Sequence, residues 1–291
     1  LRQIRQAVAH LNPAEVRASA ERPIRCRIWA ATEDQFRDVV NFLVPASCSP
    51  RRRQQVLAGV FWAAIEPELP VELEIAYRDF PGPARAYIFD PDSPTQLVGQ
   101  VLAEHTPWGL ALARSFPPFR APVVEGIIHT IARENALFVL LSALPDAVPG
   151  IFQLPWAIAE FASDTVFLTV NQLRMVFLLA GASDRPVGYR EQRAEIASVI
   201  ASAFGWRALA RELVGKIPFG GGLIPKAAVA YAGTYVVGRS VERLYRLGYR
   251  LSREDRKRVY AEALEQGKKL AGKLLEAIRS PERSTREAPY A

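Results

Sequence analysis

Ile24-Arg25-Cys26-Arg27-Ile28-Trp29-Ala30, followed by Ala31-Thr32-Glu33-Asp34-Gln35-Phe36, is the stretch that decides the fold. Residues 24–30 alternate apolar and polar side chains, the period of a half-buried strand. Thr32 and Gln35 have capping-box spacing, and Phe36, Val39, Val40 and Leu43 then recur at helical intervals. Strand, tight turn and helix therefore succeed one another. Upstream, Asn12 as N-cap, Pro13 at the first helical position and Glu15 start an earlier helix. Downstream, RRRQQVLAGVFWAAI (51–65) reads as a second helix, while VELEIAYRDF (71–80) and ARAYIFD (84–90) read as two strands joined by a hairpin-like break at Pro81-Gly82-Pro83.

From Thr95 onward every periodic segment is helical, with expected helices at 95–105, 122–142, 151–182, 187–204, 206–214, 223–249 and 252–279. The fold class expected is α+β: a small N-terminal α/β domain followed by a larger all-helical domain. The divisions are an α/β domain at 1–95, a proline-rich connection at 96–121, a helical domain at 122–250, and a basic amphipathic C-terminal helix and tail at 251–291.

A chain of 291 residues that is 49% hydrophobic and 23% charged can bury a large core, which excludes disorder, a collagen-like repeat and a disulfide scaffold. The net charge is +7, and six of those seven charges fall within residues 239–291. So local a surplus points to a surface for something anionic rather than to a nucleic-acid-binding domain. Cys26 and Cys48 cannot form a disulfide framework, and with three histidines no zinc-ligand spacing occurs. The opening LRQIRQAVAHLNP has no apolar core of a signal peptide. These features fit a reducing, cytoplasmic compartment.

Three apolar stretches call for a membrane test: 136–159 holds Asp146, 165–183 holds Arg174, and 217–238 holds Lys226. A charge at the centre of a spanning helix costs about 2.5–3.5 kcal/mol on insertion scales, whereas a soluble bundle avoids that cost. Length permits insertion as a hairpin; the charges favour a soluble or peripheral protein.

Leu144-Pro145-Asp146, a long helix carrying NQLRM (171–175) and ending in LLAG, and the run IPFGGGLIPKAAVAYAGTYVVGRSVERLY (217–245) come in an order that resembles the YcjF-like family, a bacterial helical domain of unknown function also found behind small P-loop GTPase domains. The resemblance covers residues 144–245. It implies association with a membrane or with a P-loop GTPase, and no catalytic residue. As core elements of such a domain, Asn171 and Gln172 are expected to be buried and hydrogen-bonded.

The motifs that carry chemistry are sparse. GKKLAGKL (267–274) has the glycine and lysine spacing of a phosphate loop, but Leu274 replaces the magnesium-binding hydroxyl, no strand precedes it, and Tyr260, Leu264, Gly267, Ala271, Leu274 and Ile278 form a helical stripe. After the first strand, ATEDQF offers acidic side chains where a phosphate cradle would stand. Asp90 and Asp92 in IFDPDSPT could hold magnesium or attack a phosphoryl group, yet Pro91 and Pro94 make an ordinary rigid turn the preferred reading. His10, His105 and His129 read as structural, and glycines 220–222 as an interhelix turn rather than an anion nest. No catalytic residue, cofactor or metal site is therefore assigned.

Two surfaces remain. Ala230, Thr234 and Gly238 recur every fourth residue and suit close helix packing. Beyond the Ser252/Asp255 capping box, Arg256, Lys257, Arg258, Lys268, Lys269 and Lys273 lie beside the apolar stripe and are the candidate contacts for an anionic membrane or partner. Nucleic acid is disfavoured because no aromatics interleave with these cations. The expected function is a non-catalytic, membrane-proximal adaptor or regulatory module with a protein partner, one candidate being a P-loop GTPase. The alternatives are a soluble structural subunit, and an enzyme with its site in the α/β domain.

Overall fold

In the computed structural model, which describes residues 11–65, 69–143, 164–201 and 222–279, Thr32 caps its helix as the local sequence requires. Its side chain accepts from the Gln35 amide, and Gln35 Oε1 accepts in return from the Ala31 amide at 2.9 Å. The expected segments 144–146, 151–163, 206–214 and 217–221, His10 and the tail beyond 279 lie outside the described residues. Residues group into two compact units, one of 13–125 with 180–188, the other of 126–179 and 189–291 with the first twelve residues.

The first unit holds α1 (Pro13–Ala20), β1 (Cys26–Trp29), α2 (Glu33–Leu43), α3 (Pro50–Leu57), β2 (Val60–Trp62), β3 (Leu73–Tyr77), β4 (Tyr87–Phe89), α4 (Thr95–Glu104), a short 3-10 turn and α5 (Gly109–Ser115). Its four-stranded sheet has the order β2-β1-β3-β4, and all pairs are parallel, with Ile28 opposite both Trp62 and Ile75. Cys26, Ile28, Leu73, Ile75 and Phe89 project to one face, where Val39, Leu43, Leu97, Val101, Leu112, Phe116 and Phe119 complete a continuous core.

Four expectations change here. The break at 81–83 does not make a hairpin, because β3 and β4 are parallel. Gly82 lies so close to the sheet that a Cβ would sit 2.7 Å from that of Ala76, so the loop covers the second face of β3. The helix expected over 51–65 stops at Leu57, since Val60–Trp62 pairs with β1. The alternation in β1 does not mark a half-buried strand: Arg27 is only 5% exposed and faces Glu74, 6% exposed, across the parallel register. Finally, 96–121 is no linker, because Leu97, Val98, Val101, Leu112, Phe116 and Phe119 are buried in the sheet unit's core.

The second unit takes up α6 (Pro117–Ser142) from residue 126, α7 (Asp164–Ala182) to residue 179, α8 (193–201), α9 (Leu223–Leu247) and α10 (Arg253–Arg279). α6 begins five residues before the expected 122. Pro117 and Pro118 occupy its first turn, where a missing N–H costs nothing, and Pro122 removes one internal bond without ending the helix. α9 closes on Gly248, whose φ of 84° is the left-handed conformation a glycine C-cap adopts, and Ser252 Oγ then accepts from the Asp255 amide at 3.0 Å. Arg243 and Asp255 tie the two helices at 2.9 Å. Residues 251–279 thus belong to the helical unit rather than standing apart from it.

Candidate functional site

The orientation of α10 follows from its apolar side chains. Ala263 and Ala271 are buried in a cluster with Ala132, Ala136, Ala227 and Tyr231, and Tyr260, Leu264, Leu270, Leu274 and Ile278 pack against that cluster. The stripe, which would give strong membrane affinity only by facing lipid, meets the protein's own core instead. Arg256, Lys257, Arg258, Lys268, Lys269 and Lys273 are all exposed. At 3.6 residues per turn, the ridge opposite the stripe carries Arg258, Glu262, Glu265, Lys269, Lys273 and Glu276, three cations and three carboxylates mixed along it. Arg258 pairs with Asp255 at 3.1 Å and Lys268 with Glu265 at 2.7 Å. The Ser252 hydroxyl, helped by Arg258 and Arg243, holds the Asp255 carboxyl below its ordinary pKa.

Ala230, Thr234 and Gly238 face inward on α9. Ala230 packs on the helical core, and a Cβ at Gly238 would lie 2.8 Å from the Ile128 side chain and 3.0 Å from Met175 Sδ. Thr234, 1% exposed, accepts from Asn135 Nδ2 at 2.7 Å and from Gln172 Nε2 at 3.2 Å. Asn171 donates to Asn135 Oδ1 and to Glu134 Oε2, both at 3.0 Å, and Arg174 donates to Glu134 at 3.0 Å. Asn171 and Gln172 are thus buried and hydrogen-bonded, as expected. Arg174 is matched by the half-buried Glu134 carboxylate. Thr234→Val keeps the shape but strands the buried Gln172 amide and leaves Asn135 Nδ2 only the Leu168 carbonyl at 3.5 Å, and should cost about 1–3 kcal/mol in urea unfolding.

Among the described residues one helix, Thr165–Ala182, is long and apolar enough to cross a membrane, with a mean hydropathy of 1.4, and 78% of that stretch is buried inside the protein. Burial beside the Asn135–Asn171–Thr234 network is the pattern of a core helix.

The remaining motifs resolve into structure. Arg78 Nη1 bonds both Asp90 Oδ1 at 2.9 Å and Asp92 Oδ2 at 2.6 Å, while the Asp92 amide donates to Asp90 Oδ1 at 3.0 Å. The aspartates form an Asx turn strapped by one guanidinium. Glu33 and Asp34 occupy the first turn of α2, behind β1, where parallel sheets of this kind take phosphates. GKKLAGKL lies within α10. His129 Nδ1 meets the Tyr231 hydroxyl at 2.7 Å, and His105 stacks on Trp108 with centroids 3.9 Å apart. Burial, reinforced by the charge of Glu74, raises the Cys26 thiol far above its ordinary pKa, which keeps it protonated and unreactive at neutral pH. Among the described residues no three His, Cys, Asp or Glu side chains are grouped so as to hold a metal ion.

One feature escaped sequence reasoning. A cavity of about 370 Å³ in the sheet unit is walled by Arg22, Arg25, Arg52, Gln55, Arg114 and Ser115, among others. Asp184 bridges two of these arginines, Oδ2 to Arg52 Nε at 3.0 Å and Oδ1 to Arg114 Nε at 3.5 Å. Glu21 reaches Arg114 at 3.5 Å, and Glu72 holds Arg25 at 3.1 Å. The Arg22 guanidinium stands 5.2 Å over the Trp108 ring. These arginines come from three separate stretches of chain, so no local pattern announces them.

No protein-family model matches the chain, and neither a curated protein nor a solved structure is significantly similar to it.

Proposed function

We propose that this chain is a non-catalytic adaptor or regulatory module, an α/β domain followed by a larger helical domain, that docks by charge on an anionic surface at the cytoplasmic side of a membrane. One observation supports the reading above the others: Lys257, Lys268, Lys269 and Lys273 point outward on α10, although its apolar stripe is spent on its own core and adds no affinity for lipid. Such a helix binds through electrostatics without burying itself in lipid. A protein partner at that surface, with a P-loop GTPase as one candidate, rests on the resemblance to the YcjF-like family. The mixed charge of the outer ridge favours a second reading, a soluble structural subunit whose α10 is simply solvated.

Vesicle co-sedimentation separates the two. Adaptor behaviour predicts binding to anionic vesicles at about 50 mM salt, weaker binding at about 150 mM where the screening length falls to about 8 Å, and none to neutral vesicles. Replacing Lys268, Lys269 and Lys273 by Glu should abolish the binding. Absence of binding at low salt places the soluble subunit first.

A further inference from the structure

We propose that the arginine-walled cavity of the sheet unit is a binding site for a phosphate-bearing anion. The volume of about 370 Å³ lies within the range of small-ligand pockets. Four guanidinium groups, those of Arg22, Arg25, Arg52 and Arg114, reach it from the α1–β1 connection, from α3 and from the end of α5. A guanidinium offers five N–H donors in a planar fork. Part of that capacity is spent inside the protein: Asp184 is shared between Arg52 and Arg114, Arg52 also donates to the Arg114 carbonyl at 2.7 Å and Arg114 to the Arg185 carbonyl at 2.9 Å, and Glu72 takes two nitrogens of Arg25, whereas Arg22 is placed by the Trp108 ring instead of by an acid.

With Arg120 nearby, five guanidinium groups stand against Asp184, Glu21 and Glu72, leaving a surplus of positive charge. Burial pushes Arg120 below its ordinary pKa; Asp184 opposes that push, and Arg52 and Arg114 add less to it. A carboxylate ligand could engage one fork. A phosphate dianion presents three oxygens in a tetrahedral arrangement, and so answers donors that converge from different directions. The wall carries no histidine or cysteine, which suits binding rather than turnover.

Calorimetry with inorganic pyrophosphate on the full chain is the test. It should give saturable binding to one site, stronger than to chloride at matched ionic strength. Arg22→Ser removes a cation that has no role in the Asp184 bridge, and Gln55→Glu places a negative charge on the wall at an exposed helical position. Each should weaken pyrophosphate binding about tenfold or more, the loss expected for one charge-assisted contact. Unchanged melting temperatures without ligand establish that both variants are folded. A headgroup source would appear as binding to phosphatidic acid vesicles that pyrophosphate displaces, a soluble source as binding to glycerol phosphate alone, and both variants should weaken either. The triple Glu variant of α10 should retain pyrophosphate affinity, so failure of the docking surface and failure of the cavity are distinguishable. No saturable binding, or equal affinity in wild type, Arg22→Ser and Gln55→Glu, overturns the proposal.

Discussion

Glu74→Ala should destabilise the sheet unit by about 3–5 kcal/mol, a large part of the 5–15 kcal/mol by which a typical domain is folded. Glu74 is 6% exposed at the centre of the second sheet face. Arg27 Nη1 lies 3.5 Å from its Oε1, Trp29 Nε1 donates to Oε2 at 2.9 Å, and Arg85 closes over it from outside. Deleting the carboxylate leaves a guanidinium, 5% exposed, that donates to the neutral Leu69 carbonyl. A buried charge without its partner is the costly case; removing both charges together is not. Arg27→Met combined with Glu74→Leu should therefore recover at least half of the loss. Urea unfolding followed by Trp fluorescence reads both numbers. A double variant less stable than Glu74→Ala would mean that the ion pair contributes far more than its desolvation removes.

That pair also shows where sequence reading stops. In IRCRIWA the polar positions look solvent-facing, and nothing nearby states that Arg27 will meet Glu74, 47 residues away, on a parallel neighbour. Signals that act within one turn of chain were legible. Thr32 with Gln35, Pro13 at its helix start, and Ser252 with Asp255 all form where their spacing places them, because a cap needs only its own first turn. The NQLRM helix was legible in part: burial of its polar residues in an apolar run demanded partners, but not that these would be Asn135 and Thr234 on other helices.

Readings that depended on a distant partner failed in a consistent way. Val60–Trp62 is apolar enough for either helix or strand, and pairing with β1 decides the matter. Prolines 117, 118 and 122 look like a linker until Phe116 and Phe119 are seen buried under the sheet. For the candidate sites, the cations of α10 were visible in the charge count, but which way its stripe faced was not. The arginine cavity was invisible, since Arg22, Arg25, Arg52 and Arg114 are scattered among ordinary surface positions and converge only through the fold.

Gly267→Val should separate α10 from α9, and even Gly267→Ala should destabilise the helical unit. In an exposed helix Gly→Ala is stabilising by about 1 kcal/mol, so the sign itself is the test. A Cβ at Gly267 would lie 3.0 Å from both Cα and O of Ala228 and 3.2 Å from Tyr231 Cβ. Backbone atoms of a packed helix cannot step aside as a side-chain tip can, so the overpacking cost of about 1–3 kcal/mol exceeds the propensity gain for Ala and is larger again for Val. The control stands on the same helix: a Cβ at Gly272 meets nothing within 4 Å, and Gly272→Ala should stabilise by up to about 1 kcal/mol. Both glycines belong to GKKLAGKL, the stretch that imitates a phosphate loop. If Gly267 serves packing, its replacement lowers stability while pyrophosphate affinity, read in the folded fraction, stays the same, as does that of Lys273→Ala. A loss of anion affinity in Lys273→Ala with stability intact would instead assign the stretch to phosphate binding and remove the packing account of α10.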